Sequence, residues 1–83
     1  MNINQNLLKD GKITRWSKKT ADKNMVLEYI SIKIPVDKKL SEMKINEIIK
    51  DNILFDDYVL IRRELIEKGF LHRTKDCREY WRS

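Results

Sequence analysis

The side chains of this chain that could do chemistry are mostly cations set among aromatics. Arg73, Lys75, Arg78 and Arg82 surround Tyr80 and Trp81, and Arg15, Lys18 and Lys19 surround Trp16. Arg62 and Arg63 add a cationic pair between them. Guanidinium and ammonium groups neutralise phosphates, and rings beside them stack on bases or brace the backbone that carries the charge. These nine cations, Arg15, Lys18, Lys19, Arg62, Arg63, Arg73, Lys75, Arg78 and Arg82, are the candidate nucleic-acid-binding set. The opposing reading is a solvated basic surface that keeps a small protein dispersed.

Other chemistries lack the residues they need. His72 is the only histidine and Cys77 the only cysteine. Two such residues flanking a turn do not make the several-ligand set a metal requires. The same pair has no orienting group or enclosed pocket to serve as a nucleophile and base. The two glycines, Gly11 and Gly69, stand far apart and form no phosphate-cradling loop. The acidic pairs fall at helical surface positions and read as solubilising charge. The expectation is a binding module and no enzyme, with no metal and no cofactor.

Of the net charge of +5, most sits early in the chain. Residues 1–24 carry six bases and two acids, residues 25–54 five of each, and residues 55–83 seven bases and six acids. A basic arm of this kind can contact phosphates. A single cysteine allows no internal disulfide, and no apolar run approaches a signal core or a membrane span. The expected setting is therefore the cytoplasm, with no membrane partner.

The elements that must hold these groups follow from apolar spacing. With 41% hydrophobic and 37% charged residues, the chain has enough apolar content for one modest core. Residues 1–10 read as a lead-in or a short helical turn, and residues 11–16 as a short strand or an extended arm. A first helix is predicted over residues 21–32, with Met25, Tyr29 and Ile32 on one stripe that Val26 and Ile30 widen. Pro35 ends it. Residues 36–40 form a connection that can hold one or two strand residues.

Ser41 is the predicted N-cap of a second helix over residues 42–51, with Ile45, Ile48 and Ile49 buried. A third helix is predicted over residues 57–68, capped by Asp56 or Asp57, with Tyr58, Ile61 and Leu65 inward. Gly69 stands at its C-terminal cap, and Phe70 and Leu71 turn back on the core. Residues 71–82 suit a β-hairpin around Lys75-Asp76-Cys77-Arg78. The expected core is Met25, Tyr29, Ile45, Ile48, Ile49, Tyr58, Ile61, Leu65, Phe70 and Leu71. The expected fold class is α+β. Three helices followed by a hairpin is the order of a winged helix-turn-helix. It divides into a basic arm over residues 1–20 and a domain over residues 21–83.

The stretch IRRELIEKGFLHR, Ile61 to Arg73, paired with YWR, Tyr80 to Arg82, carries a family resemblance. With DDYVL before it, KINEIIKDN at residues 44–52 and more loosely GKITRWSKK at residues 11–19, it covers most of the chain. The chain resembles a small bacterial domain of unknown function found alone or attached to winged-helix transcriptional regulators. The resemblance implies a winged-helix-like fold and an association with transcription, and no catalytic residues. Two departures stand out. The family often has Asp-Gly at the hairpin tip where this chain has Asp76-Cys77. Cysteine at a positive φ is strained, which favours a longer or different turn. An acid common at the third position of the second helix is Lys44 here, which removes a capping box.

Within the third helix, the outward side carries Asp56, Arg63 and Glu67, flanked by Arg62 and Glu64. Spacing allows Arg63 to pair with Glu67, and Glu64 with Lys68. A mixed-sign face suits groove reading poorly, whereas the hairpin's bases suit phosphates. Trp81 has the apolar surface to pack on the third helix, and Trp16 faces the same choice between core and arm. Two functions follow. One is a transcription-regulator-type module that binds DNA weakly through its arm and wing. The alternative is a protein-interaction or homodimerising module on the same scaffold with no nucleic-acid partner.

Overall fold

The computed structural model describes residues 5–82. The first four positions of the expected lead-in, and Ser83, lie outside the described residues. After a 3-10 turn at Gln5–Leu7, strands β1 (Leu8–Lys9) and β2 (Lys12–Ile13) pair antiparallel, Leu8 opposite Ile13 and Lys9 opposite Lys12. The two residues between them, Asp10 and Gly11, have φ of 52° and 79°. A two-residue hairpin turn matching the strand twist needs positive φ at both central positions, and Asp-Gly supplies it. The segment expected as a strand or extended arm is thus half of a hairpin.

That hairpin is built into the domain. Leu7 and Ile13 are fully buried. The Ile13 backbone N–H donates to the Asn52 carbonyl at 2.8 Å, and its carbonyl accepts from the Leu54 N–H at 2.8 Å. The Tyr29 hydroxyl donates to the Gly11 carbonyl at 2.7 Å.

Helix α1 (Thr20–Ser31) lies within a residue of its predicted bounds. Its buried face matches the expected one only in part, at Val26 and Ile30 with Tyr29 half-buried beside them. Val26, Leu27 and Ile30 are fully buried, while Ile32 is 52% exposed and Met25 stands outside the core cluster. Leu27, left out of the predicted stripe, swings the buried face round. Val26, Leu27, Ile30 and Ile34 form the continuous apolar row. The helix has no side-chain cap of its own. Instead Ser17, buried two residues upstream, accepts from the Lys19 N–H and donates to Asp22.

Helices α2 (Glu42–Lys50) and α3 (Tyr58–Glu67) start where their caps say they should. Ser41 Oγ accepts from the Lys44 N–H at 3.1 Å, and Asp57 Oδ1 from the Leu60 N–H at 3.2 Å. Each satisfies one of the donors that a helix start leaves open. Ile45 and Ile49 of α2 and Ile61 and Leu65 of α3 are fully buried in one cluster, with Ile48 and Tyr58 half-buried beside them. Gly69 takes φ of 83°, which ends α3 and lets both the Phe70 and Leu71 N–H groups donate to the Leu65 carbonyl.

Strands β3 (His72–Arg73) and β4 (Tyr80–Trp81) follow, antiparallel, with His72 opposite Trp81 and Arg73 opposite Tyr80. The α1–α2 connection joins them. Leu40 and Tyr80 exchange backbone hydrogen bonds at 2.7 Å in both directions, and the Asp37 N–H donates to the Arg82 carbonyl at 2.8 Å. Among the described residues the fold is a small α+β unit of three α-helices and two short antiparallel strand pairs. Its core draws on both hairpins, with Leu7, Ile13, Leu40, Ile53 and Tyr80 added to the helical residues. Among the described residues, no helix is long and apolar enough to cross a membrane.

Candidate nucleic-acid interface

Strand alternation sorts the C-terminal hairpin into two faces. Leu71 and Tyr80 point inward and are fully buried. His72 and Trp81, opposite each other on the outer face, bring their rings to 5.8 Å between centroids at a 32° tilt. Tyr80 is therefore the aromatic that packs. Trp81, expected to pack as well, is half-buried and stands outside the core cluster, because it falls on the outer face of a two-residue strand. Trp16 makes the other choice and packs against the core, with the Lys23 ammonium 5.8 Å from its ring centroid.

Between the strands, the tip is longer than two residues. The Cys77 N–H donates to the Thr74 carbonyl, and the Thr74 N–H to the Glu79 carbonyl, both at 3.0 Å. The turn is longer, as expected, yet Cys77 still takes φ of 61°, a strained region that the longer turn does not spare it. Asp76 organises the tip. Its Oδ1 accepts from the Thr74 hydroxyl at 2.6 Å and the Arg78 N–H at 3.1 Å. Those bonds, the Thr74 one foremost, hold its carboxyl below the usual carboxylate range. The carboxylate also lies 3.6 Å from the Arg78 guanidinium, across an exposed pair worth little.

The hairpin cations mostly face solvent. Arg73, Lys75 and Arg78 are exposed, and Arg73 leans along the strand to place an N–H 2.8 Å from Cys77 Sγ. Arg82 is the exception: half-buried, it donates to the Ile34 carbonyl at 3.1 Å across the α1–α2 connection.

On α3, Arg62 and Arg63 part company. The Arg62 side chain, 16% exposed, lies against α2, donating to Asn46 Oδ1 and sitting 3.5 Å from Glu42 Oε1. The same Glu42 oxygen accepts from the buried Tyr80 hydroxyl at 2.9 Å. Burial first, and Glu42 second, push the Tyr80 phenol up to about 12. Sequence spacing alone gave no sign of this link between α2, α3 and the hairpin, since Glu42 and Tyr80 are far apart in the chain. Arg63 points outward and is exposed. Among the described residues the expected pairs Arg63–Glu67 and Glu64–Lys68 do not form; the ion pairs present join Lys39 to Glu79, Lys44 to Glu47, Arg62 to Glu42 and Arg78 to Asp76.

Arg63 and Arg73 line one depression, with Ile66 and Glu67. Adjoining it through Ile66 and Arg73 is a groove of about 520 Å³ between α3 and the hairpin, walled by His72 and Trp81 and rimmed by Thr74 and Lys75. The N-terminal cations are elsewhere. Arg15, Lys18 and Lys19 are exposed, but their segment follows Ile13, which is fastened to residues 52–54 beyond the C-terminus of α2. The C-terminal hairpin is fastened through Leu40 beside the N-terminus of α2. The structure thus gathers Arg63, Arg73 and Lys75, keeps Arg78 at the tip beside them, fixes Arg62 and Arg82 inside the fold, and sets the other three cations toward the opposite end of α2.

Against protein-family models, residues 12–82 match a family described as "Uncharacterized protein conserved in bacteria (DUF2087)". No curated protein and no solved structure matches the chain.

Proposed function

We propose a nucleic-acid-binding function for this chain, which belongs to the bacterial family DUF2087. In this reading it is a module of transcription-regulator type that binds DNA weakly, through the C-terminal hairpin and the adjoining edge of α3. The observation that carries it is the shared depression of Arg63 and Arg73. These are two exposed guanidinium groups on different elements, neither in an ion pair among the described residues. Lys75 and Arg78 extend that cationic edge along the tip. The connectivity supports a winged-helix-like scaffold, with the hairpin as wing. A strand residue before α2, Leu40, pairs with the second hairpin strand, as a wing's supporting strand does.

In this reading Arg62 and Arg82 hold the wing in place and do not touch the ligand. Arg15, Lys18 and Lys19 contribute by extending the contact along a polyanion, for which a molecule 35 Å long offers room. Glu67 on the outer face of α3, with Glu64 on its flank, disfavours base reading by that helix, so affinity is mostly backbone-driven.

The test is a binding titration at several salt concentrations with random duplex and single-stranded DNA. The Lys75→Ala/Arg78→Ala double variant is compared with Arg63→Ala and the unmodified protein. Each lost phosphate contact flattens the log–log salt slope by about one unit, with a similar loss for every sequence. No affinity at low salt would end this reading.

A second reading rests on a different observation. Ile32 and Val36 are each 52% exposed and Met43 is 72% exposed, around the connection from α1 to α2. An apolar surface there favours association with a protein, including a second copy of this chain. Sedimentation at rising protein concentration, with Met43→Glu as the control, separates it from the first.

A further inference from the structure

We propose that the groove between α3 and the C-terminal hairpin takes an unpaired nucleobase, so that the preferred ligand is single-stranded nucleic acid and not a duplex. The inference rests on the nucleic-acid reading above and deepens it by naming the form of the ligand.

Trp81 is the central residue. It lines the groove and also a smaller apolar depression beside Asp37 and Lys39. His72 supports it across the strand pair, at 5.8 Å and a 32° tilt. A ring held in this way loses little freedom when a base stacks on it. Ile66 gives the groove an apolar patch beside Trp81, which suits a base and does nothing for a phosphate. Arg73 and Lys75, both exposed, also line it and can meet a sugar-phosphate chain. The groove, of about 520 Å³, is shallow and open, so a strand can lie across it while one base stacks on Trp81.

Duplex DNA presents its bases only by their edges. Approaching this groove it would meet α3, where exposed Glu67 stands beside Arg63 and half-buried Glu64 lies on the flank. Those carboxylates oppose close approach to phosphates on both sides of the helix. A single strand lets one base turn into the groove while its neighbours' phosphates stay on the rim. No bond is made or broken.

Trp81 also provides the readout. With Trp16 changed to Phe, the remaining indole fluorescence reports on Trp81 alone, since these are the two tryptophans of the chain. The protein is titrated at low salt with an oligothymidylate of about eight nucleotides, the matching oligouridylate, an abasic strand of equal charge, and a duplex. The expected result is quenching by both base-bearing single strands, and affinity about tenfold above that for the abasic strand. Read by the anisotropy of a dye-labelled strand, Trp81→Leu removes that difference and Trp81→Phe keeps part of it. The two single strands distinguish DNA from RNA as source. Equal binding of the base-bearing and abasic strands, with an unchanged Trp81 signal, overturns the base-stacking inference while leaving phosphate binding intact. Binding of none of the four overturns both readings.

Discussion

Replacing Tyr80 by phenylalanine removes one oxygen from a fully buried ring and asks how firmly the hairpin is tied to α2. The lost interaction is the 2.9 Å bond to Glu42 Oε1. Hydrogen bonds to charged groups contribute about 1.5–3 kcal/mol. Glu42 is 43% exposed, so water restores much of its solvation and the expected cost is about 1 kcal/mol near pH 8.

The pH dependence sharpens the test. The Tyr80 phenol is raised from 10.0 to about 12, chiefly because burial keeps the phenolate from water. A folded-state value above the unfolded one contributes stability below about pH 10, which is lost as pH rises through about 12. The window corresponds to about 2–3 kcal/mol in full, of which about 1 kcal/mol is gone by pH 11. The Tyr80→Phe ring cannot ionise, and every other titrating group is common to both proteins. Urea unfolding near pH 8 and near pH 11 therefore finds the unmodified protein ahead by about 1 kcal/mol at the lower pH and level with Tyr80→Phe at the higher. A gap that stays constant between the two would mean that Tyr80 does not ionise against a buried environment, and the packing given for the hairpin would be wrong.

Ile61→Ala empties a fully buried position on α3 and costs about 2–4 kcal/mol in denaturant unfolding; a change below about 0.5 kcal/mol would show that the wrong face of α3 is inward. Cys77→Gly relieves the positive φ at the hairpin tip and raises stability by about 0.5–1 kcal/mol, read from the urea midpoint; a loss would assign the Arg73–Cys77 contact more weight than the backbone strain.

Helix ends were legible because single side chains set them. Ser41 and Asp57 cap α2 and α3 through their own oxygens, and Gly69 ends α3 through a φ that other residues resist. The face of α1 was less legible. Met25, Tyr29 and Ile32 and the true row of Val26, Leu27 and Ile30 lie about one residue apart on the wheel, and only tertiary packing chooses between them. The N-terminal hairpin was readable from Asp10-Gly11 flanked by Leu8 and Ile13, a turn signal that the reading of that stretch as lead-in and arm passed over.

For the site, the hairpin cations were legible as a cluster because they are close in sequence. Which of them stay free was not. Arg62 and Arg82 find partners at Glu42, Asn46 and Ile34, contacts made only once the chain has closed. Arg63 does not pair with Glu67 although the two stand at pairing distance in sequence, since spacing permits an exposed pair without enforcing one. Trp81 turned outward because alternation gave the inner place to Tyr80.

The most direct test of the nucleic-acid reading is amide chemical-shift mapping of the full chain at low salt, as DNA is added. The account predicts that the largest changes fall on residues 72–81 and on Arg63 and Ile66, with smaller ones at Arg15, Lys18 and Lys19. Changes confined to the surface around Ile32, Val36 and Met43, or no change at any residue, would contradict it.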